Sequence, residues 1–229
     1  MFKVGDIISY QEMCSEEKTS LQKGMNFRIK NGQSIILMSL RKNAPYDDRI
    51  ENGGQVLIYE GHDVAKYKTL TQNPKTLDQP MYLPSGQLSE NGKFYNAVCN
   101  YKKGEQKAEL IKVYEKIMPG VWSYNGIFKL IDTWQEISDG RMVFKFKLEL
   151  TNDTIEQTEF EIEHNRLIPT TVKKEVWKRD KGQCVQCGSK ENLHFDHIIP
   201  FSKGGSSITA KNIQILCAKC NLSKHDKII

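Results

Sequence analysis

An α+β chain in two parts, a large β-rich N-terminal domain and a small cysteine-stapled C-terminal one, is predicted by three observations. Turn signals recur from Val4 to about Ile162, with short runs between them in which β-branched, aromatic and long aliphatic residues alternate with polar ones. That alternation stops near Asn165–Thr171. Two Cys-x-x-Cys pairs, Cys184/Cys187 and Cys217/Cys220, then bracket the last part of the chain with 29 residues between them.

The β-rich part is punctuated by Lys30-Asn31-Gly32, Glu51-Asn52-Gly53-Gly54, Pro84-Ser85-Gly86, Glu90-Asn91-Gly92 and Ser138-Asp139-Gly140, sequences that favour left-handed or tight-turn backbone. The strands expected between them are Ser34–Arg41, Gln55–Tyr59, Lys107–Ile117, Gly120–Asp132 and Met142–Leu150. A barrel or sandwich results, with one short helix expected around Asp63–Leu70. After the boundary, Val172, Val176 and Trp177 recur at helical spacing behind a threonine cap, so an amphipathic helix leads into the cysteines. The predicted domains are 1–165 and 170–229.

Composition narrows the class. With 38% hydrophobic and 27% charged residues among 229, the chain is typical of a water-soluble protein, and no apolar run approaches the roughly 18–20 residues of a membrane span. The N-terminus lacks the features of a secretory signal, so a cytoplasmic location is expected, where paired cysteines favour metal over disulfides. Cys14 and Cys99 read as small buried or indifferent thiols. Thr170 to Ile229 holds 11 Lys and Arg against 5 Asp and Glu, whereas the remaining 169 residues hold 22 against 23. The cationic potential therefore belongs to the C-terminal quarter and suits a polyanion such as DNA.

The paired thiols match a four-thiolate structural zinc site. With four protein ligands such a zinc has no open position for water, so any hydrolytic chemistry uses another metal. Between and beyond the pairs stand His194-Phe195-Asp196-His197-Ile198-Ile199-Pro200, Gly204-Gly205, Asn212 and Cys220-Asn221-Leu222-Ser223-Lys224-His225. This order and spacing over roughly residues 172–227 resembles the HNH endonuclease family. The resemblance implies a ββα-metal fold that hydrolyses DNA phosphodiester bonds, with Asp196 binding Mg2+ or Mn2+ and His197 facing the scissile phosphate. A histidine side chain, whose ordinary pKa lies near neutrality, makes His197 suit the general base. Asp196 and Asn221 offer hard oxygen ligands, with His225, four residues further along the helix, as the alternative second ligand. Asn212 matches the middle asparagine of the motif and braces the loop or orients His197. Adjacent strand residues point opposite ways, so Asp196 and His197 share one face only if the strand is irregular. His194 stands on the Asp196 side.

In the N-terminal part, Tyr46-Asp47-Asp48, Gly53-Gly54 and Tyr59-Glu60-Gly61 resemble the signature of the SRA (YDG) family, a PUA-like β-barrel that flips modified cytosine out of the duplex. The resemblance implies that Tyr46 and Tyr59 sandwich the base, replacing its lost stacking, while Asp48 accepts from the exocyclic amine. A different gap placement puts Asp47 or Arg49 at the acceptor position. Together the two resemblances imply a modification-dependent DNA endonuclease acting on double-stranded DNA bearing 5-methyl- or 5-hydroxymethylcytosine. A homodimer is expected at least on DNA, since one such site cuts one strand. Two alternatives stand beside it: a nuclease whose barrel reads another DNA feature, and a catalytically silent DNA-binding module.

Overall fold

The computed structural model describes residues 2–41, 44–66, 70–151, 167–200 and 204–224. Its largest element is an eight-stranded sheet. In chain order the strands are β1 (Ile7–Ile8), β2 (Met25–Asn26), β3 (Ser34–Met38), β4 (Arg49–Glu51), β5 (Val56–Glu60), β6 (Glu109–Met118), β7 (Val121–Ser138) and β8 (Arg141–Leu150). They lie in the order β2-β3-β6-β7-β8-β5-β4, with β1 paired to β7 off this path. Only β3 and β6 among these neighbours run parallel. The long β7–β8 hairpin turns on Asp139 and Gly140, both at positive φ (50° and 78°), the backbone that a two-residue hairpin turn demands.

Period-two alternation buries both faces of the sheet. Ile36, Met38, Val113, Phe128, Phe144, Phe146 and Leu148 point to one core, which is completed by Phe94, Ala97 and Val98 of the helix α2 (Glu90–Lys102). Ile35, Tyr114, Trp122 and Tyr124 point the other way, onto Met13 of α1 (Tyr10–Glu16) and Leu21. The sheet also curls. β3 and β5 are separated by β6, β7 and β8 along the path, yet the Asp48 carboxylate accepts from Ser39 N (3.2 Å), just beyond β3, and from Glu60 N (3.1 Å) at the end of β5. Asp48 is thus a clasp between the two.

Two expectations need correction. Residues 63–66 are not helical, and 67–69 lie outside the described residues. The helix lies instead where Glu90-Asn91-Gly92 reads as a turn, because Ser89 caps it by accepting from Gly92 N (3.1 Å). Gly92 is needed for close approach, since a Cβ there would stand 2.3 Å from the Met81 carbonyl oxygen.

The C-terminal part has its own core. The helix α3 (Thr170–Arg179) places Val172 and Val176 against Leu193 and Phe195 of β9 (Leu193–His197) and Ile213, Ile215 and Leu216 of β10 (Ile213–Cys217). The short helix α4 (Ala218–Lys224) closes this unit. Thr170 does not cap α3; the N-cap is Pro169, and the threonine hydroxyl instead hydrogen-bonds Glu115 of β6. Among the described residues no helix is long and apolar enough to cross a membrane.

Candidate functional site

The cysteines come together because two tight turns aim them at one point. Cys184 follows the turn out of α3, where Lys181 and Gly182 both take positive φ, and its knuckle closes through Gly188 N to Cys184 O (2.8 Å). Cys217 ends β10, and Cys220 lies in the first turn of α4. The four sulfurs lie within 4.8 Å of one another, with Cys187 and Cys217 3.6 Å apart. Thiolates about 2.3 Å from a tetrahedral centre stand about 3.8 Å apart, so this cluster can hold a metal ion. Burial opposes ionisation of Cys184, but backbone N–H groups of Cys217, Cys187 and Gln186 outweigh it and bring the thiol down to about 6.

β9 and β10 pair antiparallel in regular register, Asp196 opposite Gln214 and His197 opposite Ile213. Because no bulge interrupts the strand, Asp196 and His197 point to opposite faces. The buried His197 ring places Nε2 2.8 Å from Ser207 Oγ. Asp196 Oδ2 accepts from Gln214 Nε2 (3.1 Å) and from Lys224 Nζ (2.6 Å), and the same buried ammonium donates to the His197 carbonyl oxygen. Asn212 spends its side chain on the loop after β9: Oδ1 accepts from Ile199 N (2.8 Å), while Nδ2 donates to Ile199 O (3.0 Å) and Ser206 O (3.1 Å). That loop needs a glycine at 205, where a Cβ would stand 1.8 Å from Ile199 O. Asn221 lies half-buried on α4, one residue after Cys220. His225 lies outside the described residues, and His194 reaches toward Asp6 (Nδ1 to Oδ1 3.4 Å). Ser207 and Lys224 are the partners that sequence reasoning did not single out. Ser207 has no signal in the chain, whereas Lys224 closes the Asn-x-x-Lys pattern.

In the curled sheet, Tyr46, Asp48, Tyr59 and His62 line one cavity of about 880 Å³. The Tyr46 ring stacks on His62 at 5.0 Å between centroids and 10° between planes, and Lys75 Nζ lies 4.0 Å from its centre. Tyr59 is fully buried, with its hydroxyl 3.0 Å from His62 Nε2. Burial raises the Asp48 carboxyl to about 7, against the lowering effect of its two backbone donors. Burial likewise pushes the His62 imidazole down to about 4, so it is neutral. Asp47 is largely exposed, and Arg49 pairs with Glu51 on the surface. Neither is placed in the cavity.

Residues 184–227 match the sequence model described as HNH endonuclease. This segment is an HNH endonuclease domain. No curated protein matches the chain. Solved structures that align with it include the SUVH5 SRA–methylated CHH DNA complex (TM-score 0.45, 21% identity, 68% of this chain and 93% of that one). KRYPTONITE in complex with mCHG DNA and SAH aligns with TM-score 0.44 and 20% identity, over 69% of this chain and 34% of that one. SUVH6 of Arabidopsis thaliana in complex with SAM aligns with TM-score 0.43 and 19% identity, over 86% and 32%.

The HNH domain is locked to the curled sheet in two places. The N-terminal segment lies between β7 and β9: Ile7 pairs with Ser123 on one side, while on the other Phe195 N donates to Gly5 O (3.1 Å) and Asp6 bridges His194. Nearby, Lys173 Nζ on α3 donates to Glu115 Oε2 (2.8 Å) and Asn125 Oδ1 (2.7 Å), all of them buried. Burial pushes the Glu115 carboxyl up, but Lys173, Thr170 and Asn125 outweigh it and hold it below its ordinary value of 4.5. A lowered folded-state pKa contributes stability above the unfolded value and loses it as pH falls through the folded one. Acidification below about pH 4 is therefore expected to weaken this junction. Removing one partner of such a buried pair costs about 3–5 kcal/mol. Thermal melts of Lys173→Met are expected to show that loss at pH 7 and a smaller one at pH 3; equal losses at both pH values would refute the ionic role.

Proposed function

We propose that this chain is a modification-dependent DNA endonuclease, in which residues 1–165 capture a modified cytosine and residues 170–229 hydrolyse a nearby phosphodiester. The observation that carries the reading is the convergence of Tyr46, Tyr59 and the Asp48 carboxylate on one cavity in a chain that ends in an HNH domain. A flipped base needs aromatic faces and an acceptor for its amine, and those residue types meet there. The methylated DNA bound by the SUVH5 SRA domain is the class of ligand proposed.

Four residues would hold a structural Zn2+: Cys184, Cys187, Cys217 and Cys220. Asp196 and Asn221 offer oxygen donors from the end of β9 and from α4, a donor chemistry that fits Mg2+ or Mn2+; the alternative His225 lies outside the described residues. A divalent cation held there would supply neutralisation of the charge on the phosphate and the leaving oxygen. His197 is the residue proposed to take the proton from the attacking water, which requires its ring, held by Ser207 at Nε2 on the face opposite Asp196, to reach round the end of β9 to the metal side. Lys224 positions the Asp196 carboxylate. Asn212 holds the loop closed behind His197. Because one site cuts one strand, a double-strand break takes two chains, and a dimer on DNA is part of the proposal.

The test is cleavage, with magnesium or manganese, of matched duplexes carrying cytosine, 5-methylcytosine or 5-hydroxymethylcytosine. Cutting confined to a modified duplex is expected; equal cutting of all three would sink the reader assignment, and no cutting of any would favour a silent DNA-binding module. Lys224→Met is expected to raise the metal concentration needed for half-maximal cutting about 10–100-fold, the usual cost of losing a partner behind a ligand. An unchanged metal titration would deny Lys224 that role.

A further inference from the structure

His62 is a residue to which neither domain assignment gives work, yet it occupies the place where the work is done. Its ring lies parallel to Tyr46, 5.0 Å away and 10° from coplanar. It also lies 6.2 Å from the Tyr59 ring at 42°, with Nε2 3.0 Å from the tyrosine hydroxyl. The imidazole therefore covers one face of Tyr46 and meets the hydroxyl of Tyr59 with its edge, the two aromatic side chains proposed to sandwich a base. It is planar, neutral and hydrogen-bonded at its edge, which are the properties of a flipped pyrimidine in such a slot.

The surroundings show how such a ring is seated and released. Its backbone is fixed on both sides by one side chain: His62 N donates to Asn91 Oδ1 and Asn91 Nδ2 donates to His62 O, each at 2.8 Å. Among the described residues the stacking and hydrogen-bond partners of the ring are Tyr46 and the Tyr59 hydroxyl, so it can rotate out about χ1 while the backbone stays clasped. Gly24 borders the same ring, and a Cβ there would fall 2.6 Å from His62 Nε2 and 2.7 Å from Tyr59 Oη. The cavity beside it, of about 880 Å³, is large enough to receive the displaced imidazole.

We propose that His62 guards the base slot by covering Tyr46 in the DNA-free protein, so that a flipped base stacks there only by displacing the imidazole. This rests on the reading of the barrel as a base reader. Displacement taxes every flipped base equally, because apparent affinity falls by the fraction of protein in the open state. A DNA bound without flipping pays no such tax. Unmodified cytosine, which gains less on entering the slot, then stays in the duplex, whereas a 5-substituted base gains enough to displace the ring. Removing the imidazole thus lifts the cost for both flipped bases, and the modified one, which binds mainly flipped, gains most.

The experiment measures dissociation constants by fluorescence anisotropy, using duplexes with one cytosine or one 5-methylcytosine, for the wild-type protein and for His62→Ala and His62→Ser. Each is measured with and without free imidazole at high millimolar concentration. If open states are populated at 10% or less, both variants are expected to bind the methylated duplex at least about 10-fold more tightly, with the ratio between methylated and plain DNA kept or widened. Free imidazole is expected to reverse the gain in the variants and to leave the wild type unchanged. Weaker or unchanged binding by the variants, or no response to imidazole, overturns the proposal, because a ring that merely supports the wall would weaken binding when removed. If the wild type fails to prefer the methylated duplex, the reader assignment falls and the inference falls with it. A wild-type preference with no gain in the variants overturns the inference alone.

Discussion

His197→Ala is expected to abolish measurable DNA cleavage, a loss of about 10²–10⁴-fold or more, while DNA binding stays within a few-fold of wild type. The reason is geometric as well as chemical. His197 is the buried imidazole at the end of β9, fixed at Nε2 by Ser207, and no other described histidine lies on this hairpin except His194, which points toward Asp6. Ser207→Ala is expected to fall between the two, because the base stays but its ring is free to rotate. Single-turnover rates on nicked-product gels separate these outcomes. A His197→Ala protein that cuts within tenfold of wild type would remove this residue from the chemistry.

Cys217→Ser, or treatment with a strong zinc chelator, is expected to unfold the C-terminal unit outright. Structural zinc contributes about 10–16 kcal/mol of apparent binding energy in small zinc domains, as much as or more than the roughly 5–15 kcal/mol by which a whole domain is stable. The core formed by α3, β9 and β10 is small, and Cys184 and Cys217 are themselves part of it. The curled sheet has its own two clusters and is expected to keep its far-UV circular dichroism and its DNA binding while cleavage disappears. Metal content falling from one zinc per chain to none would accompany the change. Retention of a single cooperative melt at the wild-type temperature would show that the cysteines hold nothing essential.

Much of the HNH domain was legible because its constraints are local. Paired cysteines two residues apart, an Asp-His pair ending a strand and an asparagine closing a loop each fix their own neighbourhood, and residues 184–227 match the family on that pattern. In the sheet, Ile35/Ile36 and Val113/Tyr114 announce alternating faces, so strands such as β3 and β6 were foreseen nearly to their ends. What stayed hidden depends on distance along the chain. Glu90-Asn91-Gly92 carries turn residues, but Ser89 and the close carbonyl of Met81 make it a helix start. Lys173 reads as a surface lysine until Glu115, 58 residues away, is seen buried beneath it. Asp48 is given as a base acceptor by the resemblance of its motif; that it also joins Ser39 to Glu60 follows only from how the sheet curls. His62 carries no motif at all, and its place on Tyr46 appears only in three dimensions.

The strand at Ile7–Ile8 and the residues just before it have a consequence for anyone who would cut this protein in two. Gly5 and Asp6 cover the free edge of β9, and Ile7 packs into the C-terminal core. A fragment starting at Leu167 therefore lacks a piece of its own architecture, which Gly5, Asp6 and Ile7 contribute from far away in the sequence. Its uncovered edge would offer unpaired backbone groups to a second copy, and self-association would be its expected behaviour. Supplying the opening segment as a separate peptide would restore the missing strand, turning the junction into a split-protein pair whose reassembly reports on itself.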